Sequence, residues 1–318
     1  MKVVAVTVTY NSSDLLKRCV DALLMQTYII DKIIIVDNNS SAEHKEQIES
    51  IVKEAETVEA IFMDENLGGA GGFEKGMRYA AQNYDADWYW IMDDDAFPTE
   101  NCLEKLLKHS DLPDIGCLTP LIYGVDNQAF QLYHHKKIIK FSSTDKTIYK
   151  QYEKVPEVSK IEANAFVGPL ISKVAVNKIG FPDGGLFIYG DDTEYTHRIF
   201  CNGLNVYLIK EAVINHRDVL LANSNNYKAW WKAYYMFRNR VMFVDEFNKT
   251  LLGKFMGKMF VKSRLFKMSV KARLRRVPKK YKKLRIKMLK QAYADGKKGI
   301  SGKTIDPVVF NRQFDDER

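Results

Sequence analysis

The sequence predicts an α/β fold with a mostly parallel central sheet and a basic, helical C-terminal extension. Three observations carry this. Apolar, β-branched runs alternate with stretches of helical period through the first hundred residues, the pattern of βαβ units. Those runs are apolar at successive positions, as strands covered on both faces require. The charge is also divided. Of 48 Lys and Arg, 17 lie between residues 249 and 294, where there is no Asp or Glu, leaving 31 basic against 40 acidic residues elsewhere.

In chain order, KVVAVTVT (2–9) reads as a buried strand and residues 14–26 as a helix, with Ser12 or Ser13 as its N-cap. KIIIVD (32–37) is a second strand, 42–55 an exposed helix and EAIFM (59–63) a third strand. A helix over 72–83 leads to WYWIM (88–92), the fourth strand, and another helix starts near Asn101. GCLTPLIY and NAFVGPLIS read as strands, separated by a polar loop or hairpin at roughly 134–160. FIYGDDTEYTHRIFCNG (187–203) reads as a short strand, a turn and a helix. NVYLI and AVINH read as two further short strands, and 227–247 as an aromatic-rich helix. The expected domains are residues 1–222, catalytic, and 223–318, helical and basic.

Composition excludes several classes. A chain of 318 residues that is 46% hydrophobic and 12% aromatic folds rather than staying disordered. Cys19, Cys102, Cys117 and Cys201 are scattered, which is neither a zinc pattern nor a disulfide framework, so a reducing cytosol is expected. The N-terminus lacks the apolar stretch and cleavage site of a signal peptide. No run of about 18 apolar residues is present to span a bilayer.

Right-handed crossovers place the strand C-termini on one edge, where open α/β sheets bind ligands. Four polar motifs fall there: Thr9-Tyr10-Asn11, Asp37-Asn38-Asn39-Ser40, NLGGAGGF (66–73) and Asp93-Asp94-Asp95. Adjacent carboxylates repel and persist where a cation neutralises them. On extended backbone, Asp93 and Asp95 would point the same way and share a hard divalent ion. The plainer reading of the triplet is a solvated turn before Pro98. The glycines permit close approach of backbone to a phosphate; the plainer reading is a tight turn with close helix–sheet packing. GGAGG fits neither GxGxxG in register nor a P-loop. Tyr10 offers a ring for a base and Asp37 an acceptor, though either loop also reads as a helix cap. GDDTE (190–194) supplies Asp191 or Asp192 as a general base, or simply acidic residues in a first helical turn. His216 is a candidate third metal ligand or a satisfied structural histidine.

Together, in order, VTVTYN, IIIVDNNS, NLGGAGGF, MDDDAFP, FIYGDDTEY and NHRD resemble glycosyltransferase family 2, inverting enzymes of the GT-A fold, over about residues 1–220. The combination looks most like the bacterial galactofuranosyltransferase and rhamnosyltransferase branch, and YYMFRNR (234–240) resembles a helical motif of that branch. The resemblance implies transfer of a sugar from a UDP- or dTDP-sugar to a glycan or lipid-linked acceptor during cell-surface polysaccharide synthesis. It implies Thr9, Tyr10 and Asp37 around the base, Asn66 and the following glycines, Gly69 among them, along the ribose and diphosphate, Asp93 at the ribose or metal, and Asn11, Asn39 and Asp94 as further nucleotide-sugar contacts. Asp93, Asp95 and His216 would hold Mn or Mg. Asp192, with Asp191 next, would be the base, and Glu194 would orient the acceptor.

The extension needs its own account. In LLGKFMGKMF (251–260), Leu251, Leu252, Phe255, Met256 and Met259 share one helical side and Lys254 and Lys258 the other. This pattern suits an anionic membrane surface across 249–290, with the protein peripheral on the inner face of a bacterial cell membrane. A solvated basic helix and a nucleic-acid-binding helix are the alternative readings, and nucleic acid is not expected as a partner. An oligomer is compatible with the sequence. For the whole chain the competing readings are a sugar-phosphate nucleotidyltransferase, which would want a glycine-rich basic loop where TYNSSD stands, and a non-catalytic basic binding protein, which leaves both acidic clusters unexplained.

Overall fold

The computed structural model describes residues 1–139, 144–217, 230–275 and 277–312. Its strands are β1 (Val3–Thr9), β2 (Lys32–Asp37), β3 (Val58–Phe62), β4 (Trp88–Asp93), β5 (Ala96–Pro98), β6 (Ile115–Gly124), β7 (Ala129–Phe130), β8 (Lys136–Ile139), β9 (Thr144–Thr147), β10 (Val158–Ile161), β11 (Val167–Ser172) and β12 (Asn205–His216). The helices are α1 (Ser13–Leu24), α2 (Ala42–Lys53), α3 (Gly68–Asn83), α4 (Cys102–Leu107), α5 (Lys173–Ile179), α6 (Asp191–Cys201), α7 (Trp230–Phe247), α8 (Leu251–Leu274), α9 (Lys279–Lys298) and α10 (Pro307–Arg312).

Two compact units result. The first comprises Met1–Lys137, Lys146–Gly184 and Asp191–Asp218; the second comprises Ile138–Asp145, Gly185–Gly190 and Val219–Arg318. The expected boundary at 222/223 lies outside the described residues.

In the first unit the main sheet runs β10-β12-β6-β11-β4-β1-β2-β3. Its pairs β1–β2, β1–β4, β2–β3 and β6–β12 are parallel, and β11 runs antiparallel between β4 and β6. Alternate side chains of β1 and β2 go to opposite faces. Val3, Ala5, Ile33 and Ile35 pack with Leu16 and Leu23 of α1 and Ile48 of α2. Val4, Val6, Val8, Ile34 and Val36 pack with Phe73 and Met77 of α3 and Tyr195 of α6. Both faces are therefore covered, which is why these strands read as unbroken apolar runs. Four loops follow the C-termini of β1, β2, β3 and β4 on one edge.

Several sequence expectations are corrected. Helix α3 begins at Gly68 rather than Gly72, so the glycines form its first two turns. A Cβ on Gly72 would meet Val8 Cγ1 at 2.5 Å, and one on Gly76 would meet Val6 Cγ1 at 2.5 Å and Val36 Cγ2 at 2.8 Å. Missing side chains let α3 lie directly on β1 and β2. NVYLI and AVINH are one strand, β12, broken in register between Ile209 and Val213. Residues 187–190 are not a strand. A 3₁₀ turn over Gly184–Leu186 precedes Phe187, Tyr189 and Gly190, all at positive φ. The polar stretch after 134 includes the β8–β9 pair. Residues 227–229 of the expected aromatic helix lie outside the described residues.

In the second unit, α7, α8 and α9 pack around Tyr234, Tyr235, Val261, Tyr281, Leu289 and Ala292. Arg238 is fully buried there. Its guanidinium donates to the carbonyls of Gly302 (2.7 Å), Gly185 (3.2 Å) and Leu186 (2.8 Å), while Asn239 donates to Leu186, Ile188 and Tyr189. The RN pair of YYMFRNR thus satisfies backbone carbonyls from the 3₁₀ turn through Tyr189. Among the described residues no helix is long and apolar enough to cross a membrane.

Gly76→Ala will destabilise the protein by about 1–3 kcal/mol through overpacking. Gly69→Ala, where a Cβ has nothing within 4 Å, will leave stability unchanged or raise it by up to about 1 kcal/mol. Urea denaturation of the two variants reads the difference.

Candidate active site

The edge loops hold one another. Thr9, at the end of β1, donates its hydroxyl to Asp94 Oδ2 at 2.6 Å. Asn11 sits at φ +52, tolerated by its short amide. Its N–H donates to Ser40 Oγ and its Oδ1 accepts from Ser41 N–H, both at 2.8 Å. Asp37, fully buried, accepts from Ser40 N–H with both oxygens, at 3.1 and 3.3 Å. Asn39, at φ +64, accepts from Lys45 at 3.1 Å. Asn66 caps α3 by accepting Gly68 N–H at 2.8 Å. Tyr10 alone of these residues leaves a large ring in solvent, 46% exposed. In the first turn of α3, Gly69 keeps open space where a side chain would be.

The acidic triplet is not extended. Asp93 ends β4, and Asp94 and Asp95 form the turn into β5. The alternation expected of Asp93 and Asp95 is therefore broken, and each carboxylate has its own surroundings. Asp94 goes to Thr9 and Ser12. Asp95 Oδ1 lies 3.4 Å from His216 Nε2, because β5 pairs with the end of β12 and sets His216 opposite Ala96. Gln131 Oε1 lies 2.9 Å from His216 Nδ1 and 3.1 Å from His134 Nε2. With Nδ1 donating to that amide oxygen, His216 Nε2 and Asp95 face one gap as either a charged pair or two lone pairs. An oxygen–nitrogen pair of that kind is donor chemistry that fits a divalent cation.

Asp93 joins the second acidic segment. Burial raises its carboxyl well above the ordinary range, and Asp95, Asp94, Asp191 and Asp192 each raise it further. Residues a hundred positions apart thus act on one carboxylate. Burial, then the neighbouring Asp192, raises Asp191 to about 7. Burial, opposed by the Thr9 bond and reinforced by Asp95, raises Asp94 to about 7. Asp192 accepts its neighbour Thr193 N–H at 2.6 Å, and its Oδ2 lies 3.8 Å from Lys136 Nζ, which also donates to Thr193 at 2.8 Å. Glu194 differs from its neighbours in having a bidentate partner. It is 2% exposed and bridged to Arg198 at 2.5 and 3.2 Å, and Arg198 in turn donates to the carbonyls of Ile179 and Phe181. The Glu194 carboxylate is committed to anchoring α6. Among the described residues no group of three His, Cys, Asp or Glu is gathered tightly enough to hold a metal by itself.

Asn38, in the motif after β2, donates to Gly68 carbonyl and accepts Leu67 N–H, tying the β2 loop to α3. Four site neighbours escaped the sequence reading as site residues: Ser12, Gln131, His134 and Lys136. The last three fall in or beside a stretch that reads only as polar, with no spacing to single them out. Burial, then His216, pushes His134 down to about 2, so it is a neutral packing partner.

The chain matches the model of glycosyl transferase family 2 over residues 4–172. Galactofuranosyltransferase GlfT1 of Mycobacterium tuberculosis is 32% identical over 207 residues, which cover 64% of this chain and 66% of that protein. The match thus spans just under two thirds of the relative's length. Among solved structures, GalNAc-T7 with UDP, GalNAc and Mn2+ superposes with a TM-score of 0.58 at 17% identity, covering 81% of this chain and 55% of that one. Residues 1–349 of S. aureus TarS superpose with a TM-score of 0.57 at 12% identity, covering 94% and 92%. The architecture is the GT-A fold.

Asp94 and Asp191 retain protons to about 7 in the folded chain, against an ordinary 3.8. The stability their protonated forms contribute is fully present below about pH 3.8 and is lost as pH rises to 7. In metal-free buffer the melting temperature will therefore fall between pH 5 and pH 8. Asp94→Asn will flatten that fall and raise the pH 8 value by about 2–4 °C for each kcal/mol of repulsion removed. Calorimetry at the two pH values checks this; an unaltered slope contradicts it.

Proposed function

We propose that this chain, which belongs to glycosyltransferase family 2, is an inverting galactofuranosyltransferase. Its donor is UDP-galactofuranose and its acceptor a hydroxyl of a growing, lipid-linked glycan of the bacterial cell surface. What supports the chemistry is that burial raises the Asp93 carboxyl well above its ordinary range and that Asp95, Asp94, Asp191 and Asp192 each raise it further. A pocket of like charges suits a ligand that arrives with a cation and leaves a diphosphate. The choice of sugar is supported by the 32% identity to GlfT1; rhamnose from a dTDP-sugar is the neighbouring choice in the same branch.

In this reading Tyr10 covers the base with its exposed ring, and Asn11, Asp37 and Asn39 shape the loops that receive it. Thr9 fixes Asp94, so that the triplet faces the ribose and diphosphate beside Asn66 and Gly69. Asp95 and His216, with Asp93 as the third candidate ligand, would hold Mn2+ or Mg2+. When bound, that ion neutralises charge building on the departing diphosphate. Asp192 removes the proton from the acceptor hydroxyl, which attacks the anomeric carbon from the face opposite the nucleotide. Lys136 holds the Asp192 carboxylate in place, and Asp191 is the alternative base. Glu194 acts through Arg198 to set the first turn of α6, in place of the acceptor contact the sequence suggested.

Turnover of UDP-galactofuranose, UDP-hexoses and dTDP-rhamnose with Mn2+ or Mg2+ tests the reading. Asp95→Ala will abolish cation-dependent UDP binding together with transfer. Asp192→Asn will spare UDP binding and lower kcat by about 10²–10⁴-fold, the range of general base catalysis. Wild-type kcat in the second variant moves the base to Asp191.

A further inference from the structure

The second unit carries a cationic cleft that the transfer reaction does not use. Arg273 of α8 and Lys279, Lys282, Lys283, Lys287 and Lys290 of α9 line a cleft of about 610 Å³, with Ile286 the one apolar wall residue. Among the described residues none of these six cations is within ion-pair distance of a carboxylate. By contrast Lys258, on the same helix as Arg273, pairs with Asp245 at 3.0 Å. Six like charges around one space repel one another unless an anion enters it.

Helix α8 supplies a second, independent feature. Its inward side is Gly253, Gly257, Val261 and Ala272. Its other side leaves apolar side chains in water: Leu251 is 89% exposed, Phe255 61%, Phe266 70% and Leu274 77%, with Leu252, Met256 and Met259 also exposed. At 3.6 residues per turn, Leu252, Phe255, Met259, Phe266 and Arg273 fall within about 60° of one another around the helix. The apolar stripe and the α8 wall of the cleft therefore share a side. Scattered exposed apolar residues are ordinary; a contiguous stripe on one side of a helix marks an interaction surface.

We propose that this surface docks on an anionic lipid bilayer, with the α8–α9 cleft receiving phosphate headgroups and the α8 stripe entering the acyl boundary. Charge selects the occupant. A second copy docking through the same face would bring another 17 cations with no acid between residues 249 and 294 and be repelled. A nucleic acid backbone would satisfy the cleft but leave Leu251, Leu252, Met256 and Met259 in water, whereas a lipid surface satisfies both.

The test is sedimentation of the full chain with vesicles of phosphatidylcholine alone and of phosphatidylcholine with 30% phosphatidylglycerol, at 0.05 and 0.15 M salt. Binding is read without sugar transfer, so its failure leaves the transferase reading standing. The chain will bind the anionic vesicles, more weakly at the higher salt, and not the neutral ones. Lys282→Gln with Lys283→Gln and Lys287→Gln will weaken binding by about 100-fold, at roughly fivefold per cation removed. Phe255→Ser with Met259→Ser and Phe266→Ser, all exposed, will weaken binding while leaving the melting temperature and the salt dependence unchanged. Equal binding to neutral and anionic vesicles overturns the proposal, as does wild-type binding by either variant. Tighter binding to duplex RNA that the apolar variant retains overturns it in favour of nucleic acid, and self-association by ultracentrifugation overturns it in favour of a second copy.

Discussion

Repulsion among buried carboxylates is the constraint on which the catalytic unit depends. Asp93 ends a core strand, and burial alone would disfavour its charge; four other carboxylates add to that cost. Nothing in folding rewards such a cluster, since stability improves wherever one of them is protonated. The fold nevertheless brings β4, the β4–β5 turn and the first turn of α6 together. Under the proposed function, that arrangement gives up stability that a cation and a diphosphate would restore on binding.

The surrounding loops are built to keep the cluster in place without neutralising it. Thr9 and Ser12 reach Asp94 from the end of β1 and the start of α1. Gln131 steadies His216 beside Asp95, and Lys136 stands next to Asp192. Gly72 and Gly76 lower α3 onto β1 and β2 so that its N-terminus arrives at the same edge, where Asn38 and Asn66 bond its first turn. Each of these contacts is hydrogen bonding or packing that fixes a side chain to which the proposed function gives a role.

What the sequence disclosed follows from which interactions are local. The strands of the parallel half were legible because burial on both faces writes an unbroken apolar run, as in Ile33 to Val36. The acidic motifs and loop asparagines were legible by residue type and order. The bend between Asp93 and Asp95 was not, because it is set by pairing of Ala96–Pro98 with Ile214–His216, more than a hundred residues on. The same distance hid Lys136 and Gln131, which lie in a polar stretch without period. Phe187 to Gly190 looked like a strand by composition. It is instead a non-repetitive backbone whose Ile188 and Tyr189 carbonyls are taken up by Asn239, a donor some fifty residues downstream.

The central claim is that the acidic groups hold protons until a cation and a diphosphate displace them. Titration calorimetry of Mn2+ with UDP at pH 6.5, in buffers of differing ionisation enthalpy, counts the protons released. The account predicts release of about one proton or more per chain, diminished in Asp94→Asn. Binding with no proton release, or with proton uptake, would contradict it.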